Sequence, residues 1–164
     1  MTDWLLAMQQ MKAGALGLSP LPPICAPLET HLVAGPIVAY RAWQLTQNES
    51  SQLRLRSMVV KATWVPFSPI RGSPAQPYHG VYALKTLAAL REYGKESVPE
   101  MYGAVALWGA VIEHELGYRA EWAYPLALWA PPSPMPGFPT NPLLVQVAEA
   151  YGVPLLPGPP EEHT

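Results

Sequence analysis

Residues 102–129 read YGAVALWGAVIEHELGYRAEWAYPLALW, and this stretch decides the architecture. It is dense in aromatic and β-branched types, the residues that fit a pleated, half-buried surface. The pattern predicts a strand over 102–115, a tight turn at Leu116-Gly117 and a returning strand over 119–129. Gly109 falls inside the first strand, where a glycine marks a bulge. With that turn, Glu115 pairs with Tyr118 and His114 with Arg119. Alternation then places His114, Arg119 and Glu121 on one face, and Glu113, Glu115, Tyr118 and Trp122 on the other.

Working upstream, Gly80–Ala83 reads as a short buried strand leading into a helix over Leu84–Tyr93, with Gly94 as its stop. Residues 66–77 carry four prolines and a glycine and read as a loop. Residues 36–45 read as a strand, 46–52 as a turn, and 53–56 as a strand alternating with period two. Residues 58–64 continue as a strand. Residues 3–13 have apolar positions at helical spacing behind a Thr2 or Asp3 cap, and 19–30 form a Pro-rich extended arm. Downstream, 131–139 form a stiff linker. A helix then opens at Asn141 and Pro142 and closes at Gly152, and a Pro-rich tail follows. The expected fold class is α+β: an antiparallel sheet or partial β-barrel with one packed helix, plus helical and Pro-rich N- and C-terminal extensions. The segments are an arm at 1–35, a core at 36–130, and a linker, helix and tail at 131–164.

The chain has 164 residues, enough for one sizeable core and too few for two. Charged residues make up 13%, well under the usual quarter, so the surface carries little charge and suits a covering partner. Cys25 is the single cysteine, set among prolines with no charged neighbour, and reads as a small hydrophobe. No apolar run reaches 18 residues and no basic leader opens the chain, which together predict a cytoplasmic protein without a membrane span. Residues 41–95 hold a net charge of +6 and residues 96–164 a net of −7. Such a split marks either a binding face for anions or nucleic acid, or two halves that pack and neutralise each other. The candidate nucleic-acid residues are Arg41, Arg54, Arg56, Lys61 and Arg71.

The densest polar segment is Glu113–Trp122. A His, an Arg and a Glu on one face can do acid–base work, with the carboxylate steadying the imidazole, so His114, Arg119 and Glu121 are the catalytic candidates. A cross-strand Arg–Glu contact is equally a structural device. Consecutive strand residues diverge, so Glu113, His114 and Glu115 do not make a metal site, and no cofactor is expected. No Gly-rich phosphate loop, nucleophile elbow or paired-cysteine motif is present.

The runs Tyr40-Arg41-Ala42-Trp43, Gly80-Val81-Tyr82-Ala83 and Gly103–Pro125 resemble an uncharacterised small domain of actinobacterial and phage-related genes. The similarity spans roughly residues 36–129. Members carry a Cys/His cluster just before the Gly80-Val81-Tyr82-Ala83 strand, where this chain has Pro74, Gln76, Pro77, Tyr78 and only His79. The resemblance implies a mobile-element origin and brings no activity with it. Three functions stay open. The first is a non-catalytic protein-interaction or regulatory module, such as a virion component or an inhibitor of a host machine, meeting another protein or a second copy through its Pro-rich arms. The second is a small nucleotide-directed enzyme using His114, Arg119 and Glu121. The third is nucleic-acid binding through the basic segment 41–95.

Overall fold

The computed structural model describes residues 29–58, 62–76, 79–131 and 142–160, with the backbone alone for 29–34. The chain is an α+β fold. Its described elements are β1 (Glu29–Gln47), β2 (Leu53–Ser57), β3 (Ile70–Arg71), β4 (Val81–Leu84), α1 (Leu87–Ser97), β5 (Met101–Glu113), β6 (Gly117–Trp129), α2 (Leu143–Tyr151) and β7 (Leu155–Leu156). β5 and β6 form the expected hairpin, pairing from Tyr102–Trp129 to Glu113–Tyr118. β1 runs antiparallel to β5 from Glu29–Glu113 to Trp43–Met101. The outer edge of β6 takes β4 along 117–120, β3 at 122–123 and β7 at 128–129. The outer edge of β1 takes β2, and touches β4 through the single pair Tyr40–Leu84. The pairings β1–β5, β5–β6, β6–β4 and β4–β1 therefore close into a circuit. β7 is parallel to β6, so the sheet is mixed rather than purely antiparallel.

Gly109 makes the bend that this circuit needs. The register slips between Trp108–Trp122 and Val111–Ala120, and Gly109 sits there with φ +79. A Cβ at that point would crowd the Glu121 carboxylate and the Trp122 ring. The bulge expected from sequence is present.

Two helices cover the sheet, where the sequence reading expected one. α1 packs Leu87 and Leu90 against Tyr82, Leu84, Tyr102 and Trp129. α2 packs Leu144, Val147, Ala148 and Tyr151 against a core that includes Trp43, Leu55, Trp64, Val105 and Leu128. An isolated helix of this length is marginal in water, so its apolar face supplies the stability. Each fully buried large apolar side chain contributes about 1.5–3 kcal/mol.

Several boundaries move. The hairpin turn falls at Glu115-Leu116: the His114 N–H donates to the Gly117 carbonyl at 2.8 Å, and Glu113 faces Tyr118. Leu116 sets this tip, because its carbonyl accepts from the Lys85 N–H at 2.8 Å and its side chain packs on the α1-side core. A slip of two residues leaves every side chain on its expected face. β1 begins at Glu29, inside the segment read as an arm. Its break lies between Val33 and Ile37, around Pro36, which has no N–H to give a ladder. The strand expected at 58–64 reduces, among described residues, to one bridge between Arg56 and Thr63. Trp64, next to that bridge, enters the core edge-on to Trp43, ring centroids 5.3 Å apart. The loop at 66–77 contains the short strand β3.

The first helix starts at Leu87, not Leu84. Leu84 is committed to β4, and Thr86 Oγ1 caps the helix by accepting from the Ala89 N–H at 3.1 Å. It runs through Gly94 to Ser97, and Val98 closes it in the left-handed conformation. Gly94 serves close approach instead, since a Cβ there would overlap the Tyr102 hydroxyl. Gly152 ends α2 as expected, its N–H bonded to the Ala148 and Glu149 carbonyls, while Pro142 holds the cap position. The helix at 3–13, the Pro-rich arm at 19–28, Asn141 and most of the 131–139 linker lie outside the described residues. No helix among the described residues is long and apolar enough to cross a membrane.

Candidate functional site

The polar segment of the hairpin faces the loop between β3 and β4, and Arg119 joins them. Arg119 sits on β6 opposite Tyr82 of β4 and Ile112 of β5. Its side chain is drawn inward, leaving the residue 7% exposed. Nη1 is ringed by three backbone carbonyls: Pro74 at 3.2 Å, Gln76 at 2.9 Å and His79 at 3.1 Å. Nε donates to His114 Nε2 at 3.0 Å, and His114 is 4% exposed. An arginine Nε always carries its hydrogen, so His114 Nε2 is the acceptor. In this contact the imidazole is therefore neutral, with its proton on Nδ1.

The loop is pinched at its neck by two glycines. A Cβ on Gly72 would stand 2.5 Å from the Gly80 Cα and 2.8 Å from the Val81 nitrogen, all backbone atoms that cannot swing aside. Gly72 also donates its N–H to the Glu121 carbonyl at 2.8 Å. Gly72→Ala is expected to cost about 2–4 kcal/mol by prising the neck open. Urea unfolding measures it, and a loss below half a kcal/mol would refute the tight neck.

Glu121 is engaged elsewhere. Oε1 accepts from the Ala110 N–H at 3.2 Å, across the Gly109 bulge, and Oε2 meets Arg71 Nη2 at 3.3 Å. Arg71 is exposed and lies over the Trp122 ring, 5.2 Å from its centroid. At the hairpin tip, Lys85 Nζ holds Glu113 Oε2 at 2.5 Å and lies over the Tyr118 ring. The structure thus brings His114 and Arg119 together and gives Glu121 other partners. Arg71–Glu121 and Lys85–Glu113 each join the basic half of the sequence to the acidic half.

The basic residues do not form one face. Arg41 points into the α2-side core. Arg54 and Arg56 share one side of β2, opposite Thr46 and Gln44. Arg71 belongs to the Trp122 group, and Lys61 lies outside the described residues. No group of three or more His, Cys, Asp or Glu side chains is placed to hold a metal among the described residues.

No family model, curated protein or solved structure matches this chain. Function has to be argued from its own contacts.

One further arrangement escaped the sequence reading. Val65 and Phe67 stand out on a turn closed by the Ser68 N–H to the Val65 carbonyl at 3.2 Å. Phe67 is 77% exposed and Val65 56%. Phe67 has φ +59, a left-handed conformation that a bulky L residue enters at a cost. Two tyrosines hold it there. The Phe67 N–H donates to Tyr124 Oη at 2.8 Å, and the Tyr124 hydroxyl donates to the Tyr151 carbonyl at 2.8 Å. Tyr151 Oη accepts from the Leu55 N–H at 2.9 Å and donates to the Trp64 carbonyl. The only available sequence signal was a large aromatic isolated in a Pro-rich loop.

Proposed function

We propose that this chain is a non-catalytic protein-interaction or regulatory module. The observation that carries the reading is Phe67: a large apolar side chain, one ring edge beside Gly152 and the residue 77% exposed, in a strained backbone whose N–H is held by Tyr124. Strain of this kind persists only where the surroundings enforce it, and it concentrates at functional sites. Exposed aromatics are also the residue type that most often anchors a protein interface. The partner is another protein or a second copy of the chain, in a cytoplasmic setting. The Pro-rich N- and C-terminal extensions supply further length for contact, and the resemblance noted above favours a mobile-element origin.

Phe67→Gly tests this. Glycine accepts the left-handed backbone freely, so the variant is expected to gain roughly 1 kcal/mol in stability. It is also expected to lose the oligomer or co-purified protein that the natural chain retains. A monomer without a companion before the substitution, or a companion retained after it, would refute the reading.

A second reading, the small nucleotide-directed enzyme, has one observation in its favour: the neutral imidazole of His114 held against Arg119. His114→Asn would abolish such an activity, measured as nucleotide turnover. Against it stand the three carbonyls that occupy Arg119 Nη1 and the engagement of Glu121 elsewhere.

A further inference from the structure

Arg41 and Arg119 are both inward-turned arginines without a carboxylate partner among the described residues, and they differ in how they are satisfied. Arg119 has four acceptors. Arg41 Nη1 donates to the Tyr82 carbonyl and Nη2 to Ser57 Oγ at 2.7 Å, while the guanidinium lies over the Trp64 ring, 5.0 Å from its centroid. Arg41 Nε is buried and has no partner. Trp43 Nε1, two residues along the same strand, is likewise buried and unpaired. Ser57 Oγ already accepts twice, from Arg41 and from Trp64 Nε1 at 2.9 Å, and no described residue accepts its own proton. Burial draws the Arg41 guanidinium down to about 10, with Tyr93 opposing that shift.

This corner of the core holds a positive charge and, among the described residues, more donors than acceptors. Buried donors left unpaired cost free energy, and a buried charge costs more. On the planar guanidinium fork, Nε–H lies beside Nη2, the nitrogen that binds Ser57. An acceptor that took Nε–H would therefore be within reach of the Ser57 hydroxyl.

The geometry points to an anion site at the Nε edge of Arg41, filled by one carboxylate or phosphate oxygen that also accepts from Ser57. Nε is shielded from bulk water, so the site takes a single compact oxyanion group. It does not suit the repeating phosphates of a nucleic-acid backbone, which bind along exposed basic grooves. The site is independent of the Phe67 turn, and its failure would leave that reading intact.

The test is a nitrogen-edited spectrum of the arginine Nε–H groups in the full chain, during separate titrations with sodium acetate, sodium phosphate and sodium chloride. One Nε–H signal, absent from Arg41→Lys, is expected to move saturably with acetate or phosphate and not with chloride. The stronger arm identifies the source as carboxylate or phosphate. Ser57→Ala is expected to weaken the response about tenfold, the loss of one charge-assisted hydrogen-bond partner. If Arg41→Lys does not fold, the natural chain and Ser57→Ala still decide the matter. A signal that stays fixed in all three titrations would overturn the site. So would one that follows chloride equally, or one that exchanges only with an enclosed water.

Discussion

Arg119→Met is expected to lower the unfolding free energy by on the order of 3–5 kcal/mol, a large share of what a domain this size possesses. The arginine occupies the middle of the 72–80 loop and satisfies three carbonyls and one imidazole nitrogen. Methionine preserves much of the apolar stem and removes every donor. The carbonyls of Pro74, Gln76 and His79 then have to find water, and His114 Nε2 is left facing a thioether. The melting temperature should fall by roughly 10 °C. Proteolysis should cut first within 73–79, since the loop loses its internal support before the sheet does. A loss under about 1 kcal/mol would show the guanidinium to be dispensable, and would return His114 and Arg119 to the catalytic reading.

Tyr151→Phe is expected to cost about 2–3 kcal/mol with almost no change in volume. The hydroxyl completes the edge of β2: it accepts from the Leu55 N–H and donates to the Trp64 carbonyl, two backbone groups on residues buried to 0% and 2% exposure. Phenylalanine leaves both unpaired. The natural phenol also carries a signature in alkali. Burial pushes its pKa up to about 12, with the Leu55 hydrogen bond partly opposing, against about 10 for a free tyrosine. Below pH 10 both folded and unfolded chains keep the proton. Between about pH 10 and 12 the unfolded chain releases it first, so stability falls as pH rises through that window. Tyr151→Phe should therefore make the urea midpoint fall less steeply above pH 10 than in the natural chain. Parallel slopes for the two proteins would show that the phenol ionises freely in the fold.

The hairpin was the most legible part of the sequence, because alternation and a bulge glycine are local signals. Even its two-residue register error preserved the faces, so His114 and Arg119 were correctly expected side by side. Glu121 keeps its face but takes other partners, because the Gly109 bulge opposite it offers the Ala110 N–H. The bulge was visible in the sequence, but its effect on the neighbouring strand was not. Gly94 read as a helix stop because a glycine there usually signals a change of backbone. Its actual role, making room for Tyr102, depends on a strand seven residues beyond it. Nothing local in the sequence reveals which backbone groups the Tyr151 and Tyr124 hydroxyls meet. Arg41 counted as a surface charge until the fold turned it inward.

The tyrosine at the end of α2 also bears on how the protein comes into being. Leu55 and Tyr151 are 96 positions apart, so the edge of β2 waits for its closing hydroxyl about 5–20 s at ordinary rates of translation. The N-terminal part of β1 waits similarly for Glu113. During that interval the nascent chain presents an incomplete ladder and an uncovered apolar sheet. An edge closed by a hydroxyl 96 residues further on stays open while the intervening chain is made, and it is in that interval that the cell must guard it.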